Sequence, residues 1–204
     1  MRHLFVLLIL VNFFSSCEEC SDKPVTCSAY QEKGFSAWFP YSANNRLIFS
    51  STSGNDTFTI KSVYTSNSYE DRVSARSPFC NAEKTINSVE TINFGADKLN
   101  ILNAQYNDAY AATQSTERLN IYIKNGGFTG SSVSDTGIVK NNATQNSQFF
   151  SSLSIGGTSY TKVQLIVADT FTTKTSRPYK LWISRNIGIV AYEDYPSKTL
   201  WIKQ

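Results

Sequence analysis

The feature that most limits how this chain can fold is an alternation repeated from Phe35 onward. Short runs rich in Ile, Val, Phe, Tyr and Thr recur, each ended by Gly, Asn, Ser or Asp. β-Branched and aromatic side chains suit a pleated, half-buried surface, and small polar residues suit the turns between strands. Arg46–Ser51 predicts one strand, Ser53-Gly54-Asn55 its turn, and Asp56–Tyr64 a return strand with Phe58, Ile60 and Ser62 on one face. Gln148–Ile155 and Thr158–Ala168 flank Gly156-Gly157, a pair suited to a two-residue hairpin because both turn positions need positive φ. Tyr179–Ser184, Ile187–Tyr192 and Thr199–Lys203 predict a C-terminal meander that turns at Arg185-Asn186 and through a loop containing Pro196.

The middle of the chain adds expected strands at Lys84–Phe94, Leu99–Leu102 and Leu119–Ile123, the last ended by Asn125-Gly126-Gly127. Ala104–Ala112 is expected to form a helical turn or two, and residues 129–147 a long exposed loop around Ile138-Val139. Long capped amphipathic helices and short-period repeats are absent from the sequence. These signals predict an all-β fold, an antiparallel sandwich or a partly closed half-barrel of about 9–11 strands.

The amino terminus carries a different message. Met1-Arg2-His3 is followed by an apolar run, Leu4 to Phe14 broken only by Asn12, then by Ser15-Ser16 and Cys17. This is the charged, apolar and small-residue order of an export signal, and the run is too short to span a bilayer. Small residues directly before a cysteine resemble the lipobox of bacterial lipoproteins, with Phe14 where that family prefers Leu. Glu18-Glu19 directly after the cysteine resembles the surface-export signal of Bacteroidetes-type lipoproteins. The resemblance implies cleavage before Cys17, acylation of its thiol and anchoring to the outer membrane, on its periplasmic or cell-surface face. The expected organisation is a signal over 1–16, a flexible tether over 17–34 and a single β-rich domain over 35–204. The final meander, Trp182-Ile183-Ser184 with Asn186-Ile187-Gly188-Ile189-Val190 and Trp201, also resembles β-rich lipoproteins of that type whose function is unassigned.

Cleavage there would change the chemistry available. The chain has one histidine, His3, and it lies in the signal. Ser-His-Asp and Cys-His catalysis and His-ligated zinc are then excluded. Without Arg2, 18 basic residues face 16 acidic ones, and no run of Lys/Arg exceeds a pair. Nucleic-acid binding needs a concentrated basic face, so it is not expected. No cofactor fingerprint is present, and although Cys17 and Cys20 have the CxxC spacing of a zinc site, Cys17 is assigned to lipid and no second pair follows, so no metal is expected. Of the four cysteines, Cys17 is assigned to lipid, and Cys27 with Cys80 is the expected disulfide, closing a loop worth about 4 kcal/mol in the chain-entropy model. Cys20 with Cys80 is the competing pair, and spacing does not choose between them.

Candidate sites are few. The adjacent carboxylates Glu193-Asp194 and Glu70-Asp71 point to opposite faces if they lie on strands, so neither pair is a catalytic dyad by itself. No residue is assigned a catalytic role. Trp182, Trp201, Tyr192 and Glu193 are the candidate ligand-binding residues. Aromatic rings lined along a sheet and flanked by amides can pack on sugar C–H faces, although filling the core is the ordinary fate of such rings. The expected activity is that of a membrane-anchored, non-enzymatic binding or structural module with a glycan or envelope-protein ligand. The alternatives are a carboxylate-dependent polysaccharide hydrolase and a lipid or lipoprotein carrier with a half-barrel cavity.

Overall fold

The computed structural model describes residues 27–70, 79–88, 98–108, 115–134, 136–139, 146–168 and 176–204. Among the described residues the one helical turn is α1, Phe35–Trp38. Fourteen strands follow: β1 (Arg46–Ser51), β2 (Gly54–Thr59), β3 (Ser62–Glu70), β4 (Phe79–Asn87), β5 (Leu99–Asp108), β6 (Ser115–Ile123), β7 (Gly126–Gly130), β8 (Ser132–Ser134), β9 (Gly137–Val139), β10 (Asn146–Ile155), β11 (Thr158–Val167), β12 (Arg177–Ser184), β13 (Gly188–Tyr195) and β14 (Leu200–Lys203). All pair antiparallel, in a seven-stranded sheet ordered β10-β11-β12-β13-β14-β1-β2, a five-stranded sheet ordered β3-β4-β5-β6-β7, and the pair β8-β9. The sheets do not close into a barrel, so the sandwich is the member of the expected pair of architectures that holds.

The core is the apolar space between the two large sheets. Leu47, Phe49, Phe58, Leu181, Ile183, Ile189, Tyr192 and Trp201 enter it from the seven-stranded sheet. Ile86, Leu99, Ile101, Leu119, Ile121, Ile123 and Phe128 enter it from the five-stranded sheet. Each such aliphatic or aromatic side chain contributes about 1.5–3 kcal/mol relative to exposure. The helical turn plugs one end, with Phe35, Trp38 and Phe39 buried and Trp38 Nε1 donating to the Ser134 carbonyl at 2.8 Å. Tyr41 locks β13 in place. Its hydroxyl accepts the Ile189 amide at 2.6 Å, and its ring lies against Gly188, where a Cβ would meet Tyr41 Oη at 2.2 Å. Gly188 also sits at φ +88°, so both its backbone angle and its surroundings require glycine.

The expected strand Asp56–Tyr64 divides. Phe58 belongs to β2 in one sheet and Val63 to β3 in the other, and the chain crosses between them at Ile60-Lys61. The crossing backbone is satisfied by Asn44 and Asn45, which exchange hydrogen bonds of 2.8 Å with Ile60, and by the Lys61 amide on the Asn87 carbonyl. It also shifts the phase, so that Val63, not Ser62, packs against the core. Residues 129–147 are likewise not one exposed loop. They hold the end of β7, all of β8 and β9 and the start of β10, with Val133 and Ile138 buried. Ala104–Asp108 is strand, not helix, because ladders to β4 and β6 on either side fix its backbone. Residues 109–112 of that expected helix lie outside the described residues.

The tether expectation also gives way for Cys27–Gly34. Cys27 is bonded to Cys80 of β4, with 53 residues of separation, which decides between the competing disulfides. Gln31 exchanges two hydrogen bonds with the Gln105 side chain, at 2.9 and 2.6 Å, and the Asn103 amide donates to Tyr30 Oη at 2.8 Å. The inner face of β4 and β5 is polar there (Lys84, Asn103, Gln105), and this segment supplies partners for Lys84, for the Asn103 amide nitrogen and for Gln105. Residues 17–26 of the expected tether lie outside the described residues.

The Gly156-Gly157 hairpin forms as expected, with φ +59° and +85°. Pairing between β11 and β12 stops at Val163, and Lys162 turns the strand at φ +51°. Beyond that point the β10–β11 hairpin folds over the outer face of β12–β14. Ile155, Tyr160 and Val163 there bury Val190 and Ala191, with Trp182, Leu200 and Ile202 at the margin.

Candidate functional site

The four residues nominated from sequence fall on two faces of the seven-stranded sheet. Trp201 pairs with Tyr192, whereas Trp182 pairs with Ala191, the neighbouring position on β13. Side chains alternate along a strand, so Tyr192 and Trp201 point into the sandwich and Trp182 points out. No common aromatic row is therefore formed by them.

The inward pair is part of a buried polar network. Tyr192 and Trp201 stack with ring centroids 5.8 Å apart. The Tyr192 hydroxyl donates to Asp56 Oδ2, and Lys124 Nζ lies 2.7 Å from the same oxygen and 4.8 Å from the Trp201 ring centroid. Trp201 Nε1 donates to Asp194 Oδ2 at 2.9 Å. Lys124 comes from the turn between β6 and β7, at φ +52°, so the turn that ends β6 is Lys124-Asn125 and Gly126 already belongs to β7. Burial raises the Asp194 pKa above the usual carboxylate range and the Asp56 charge adds to this, while the Trp201 hydrogen bond and Lys124 oppose it. Burial likewise pushes the Tyr192 hydroxyl well up, with the Asp56 bond and charge adding. Two carboxylates thus meet one cation, a combination that sequence spacing did not suggest because Asp56 and Asp194 lie far apart in the chain. The cluster is enclosed: Tyr192 is fully buried and Trp201 is 8 % exposed, while Asp194 Oδ1 is buried without a hydrogen-bond partner among the described residues.

The outward pair belongs to another cluster. Register shifts on β12 place Tyr179 beside Lys180. The Tyr179 hydroxyl donates to Glu193 Oε1 and accepts from Lys198 Nζ at 2.8 Å, while Lys180 Nζ reaches Glu193 Oε1 at 3.3 Å. Trp182 is half covered by the folded hairpin, and Tyr179 is buried. Each charged and hydroxyl group here already has a partner within the cluster.

A surface that exposes aromatic and amide side chains is the outer face of the five-stranded sheet. The register aligns four cross-strand rows there: Ser62, Asn87, Asn100, Tyr122 and Gly127; Tyr64, Thr85, Leu102, Asn120 and Thr129; Ser66, Glu83, Ala104 and Arg118; Ser68, Asn81, Tyr106 and Thr116. Tyr64 is 45 % exposed and Tyr122 39 %, two of the largest apolar exposures of the described chain. Three strand spacings separate β3 from β6, so the rings stand about 14 Å apart across the sheet. Asn87 and Asn100 bond to each other between them, and Asn81 and Ser66 both donate to Glu83. Asn81 Oδ1 and Thr85 Oγ1 are buried beneath this face and have no hydrogen-bond partner among the described residues. Single tyrosines and asparagines on separate strands carry no motif in the sequence, and only the register gathers them.

No protein-family model matches the chain, and neither the curated proteins nor the solved structures offer a match.

Proposed function

We propose that this chain is a non-enzymatic binding module of the cell envelope, anchored through Cys17 to the outer membrane, that presents the outer face of its five-stranded sheet to a polysaccharide. The observation that carries this reading is the pair of exposed rings, Tyr64 and Tyr122, set among Asn87, Asn100 and Asn120 on one flat face. A sugar's C–H groups carry partial positive charge and pack on the negative face of an aromatic ring. An asparagine amide both donates and accepts, which matches hydroxyls that do the same. Among the described residues, the apolar side chains between the two large sheets and the mutual contacts of Asp56, Lys124, Tyr192 and Trp201 support a surface reading.

Membranes carrying the full chain are expected to sediment fluorescent polysaccharide. Tyr64→Ala/Tyr122→Ala is expected to lower the affinity at least about 10-fold, since each ring supplies about 0.5–1.5 kcal/mol beyond its buried area. Cys17→Ala should release the protein from the membrane and leave binding intact. Unchanged polysaccharide binding in the tyrosine variant removes this face from consideration, and membrane retention of Cys17→Ala removes the anchor.

A further inference from the structure

The five-stranded sheet is uneven at one edge. β7 pairs with β6 only from Leu119–Gly130 to Ile123–Gly126, so Ser115–Arg118 of β6 run on beyond that ladder, where β8 lies close to β6 without pairing to it. An open cleft of about 540 Å³ occupies this edge, lined by Lys33, Tyr106, Thr116, Glu117, Arg118, Ser131 and Ser132. Tyr106, Thr116 and Arg118 belong to the outer-face rows described above, so the cleft continues that surface. Its β6 residues lie about 14–20 Å along the strand from Tyr122.

Its charges are not balanced. Glu117 is its one carboxylate, and Glu117 Oε1 is taken up by the Asn103 amide at 2.8 Å. Lys33 and Arg118 are exposed and form no ion pair among the described residues. Two cations and the hydroxyls of Thr116, Ser131, Ser132 and Tyr106 therefore border one space. That set suits a group with several acceptor oxygens and a negative charge, because a guanidinium and an ammonium bind such oxygens more strongly than hydroxyls alone do.

We infer that this cleft takes the acid group, carboxylate or sulfate, of a glycan lying across the five-stranded sheet, so that the ligand is an acidic polysaccharide. The inference rests on the polysaccharide reading above and adds the ligand's charge and the residues that select it. Arg118 and Lys33 are the selecting residues, and Tyr64 and Tyr122 hold the chain of sugars whatever its charge.

The test uses the full chain in detergent and two matched pairs of polymers: dextran sulfate against dextran, and polygalacturonate against its methyl ester. The acidic member of at least one pair is expected to bind 10-fold or more tightly at low salt, with the difference shrinking as salt rises. Preference within the dextran pair identifies a sulfate, and within the galacturonate pair a carboxylate. Lys33→Ala/Arg118→Ala should abolish the preference and spare neutral binding. Arg46→Ala/Lys61→Ala, which removes the same charge from other exposed positions, should leave the preference intact. Sodium glucuronate and sodium sulfate, followed by amide NMR, probe the cleft without the tyrosines: shifts should concentrate at Thr116–Arg118 and Ser131-Ser132. Equal binding of acidic and neutral polymers, or a preference that survives loss of Lys33 and Arg118, overturns the inference and leaves the tyrosine face standing. Localised shifts from the small anions without any polymer binding uphold an anion cleft but overturn the polysaccharide. No response to any probe overturns both.

Discussion

Replacing Lys124 by alanine is expected to destabilise the folded chain by about 3–5 kcal/mol at neutral pH, the usual effect of removing one partner from a largely buried ion pair. Lys124 and Asp56 are only 23 % and 22 % exposed, so solvent screens their interaction little. The substitution leaves Asp56 facing the Tyr192 hydroxyl and Asp194, with no cation within the network. It also removes a charge lying over the Trp201 ring. The loss should depend on pH in a definite direction. Because burial holds the Asp194 pKa above its unfolded value of about 3.9, the folded chain keeps a proton that the unfolded chain has released between those two values. Stability contributed by that proton is complete below the unfolded pKa and falls as pH rises through the folded one. Without Lys124 the folded pKa moves further up, so the window widens upward and the deficit grows from pH 4 toward pH 7. Urea unfolding of both proteins across that range measures it. A deficit under 1 kcal/mol at pH 7, or one that grows on acidification, contradicts the account.

The second large effect is at the disulfide. Cys27→Ala/Cys80→Ala should cost about 4 kcal/mol by the loop-closure argument, since the bond closes 53 residues of separation. For a domain of this size that is a fall in Tm of about 8–16 °C. The entropy of the unfolded chain is only part of the effect. The same bond holds Tyr30 and Gln31 against Asn103 and Gln105, whose amides are buried on the inner face of β5. Release of the segment would leave those amides short of partners, each worth about 1–3 kcal/mol when buried and unsatisfied. Calorimetry of the variant, beside wild type with and without reductant, checks the size. A Tm change of less than 3 °C would mean that the segment stays docked and that the loop contributes little.

What could be read locally was read well. Gly156-Gly157 and the C-terminal meander depend on turn residues next to the strands they join, and both form where expected. The split of Asp56–Tyr64 was hidden because Phe58, Ile60 and Ser62 continue a period of two through the crossing. That alternation names a face but not the sheet to which the face belongs. Ser132–Ser134 and Gly137–Val139 were missed because three residues are too few for a period to show. Trp182 and Trp201 looked like neighbours because their strands lie two apart in the meander. Register then set them on opposite faces, and a shift of one residue reverses every side chain on a strand.

The sequence by itself determined that this is an antiparallel all-β chain, where its tightest hairpin turns, and which apolar residues seek burial, because those properties follow from neighbours a few positions apart. Only the tertiary structure decided that Cys27 meets Cys80, that Asp56 and Asp194 meet through Lys124 and Tyr192, and that Tyr64 and Tyr122 share an exposed face. Those groupings join residues tens of positions apart, and they follow from strand order and register, which are set when the two sheets pack on one core.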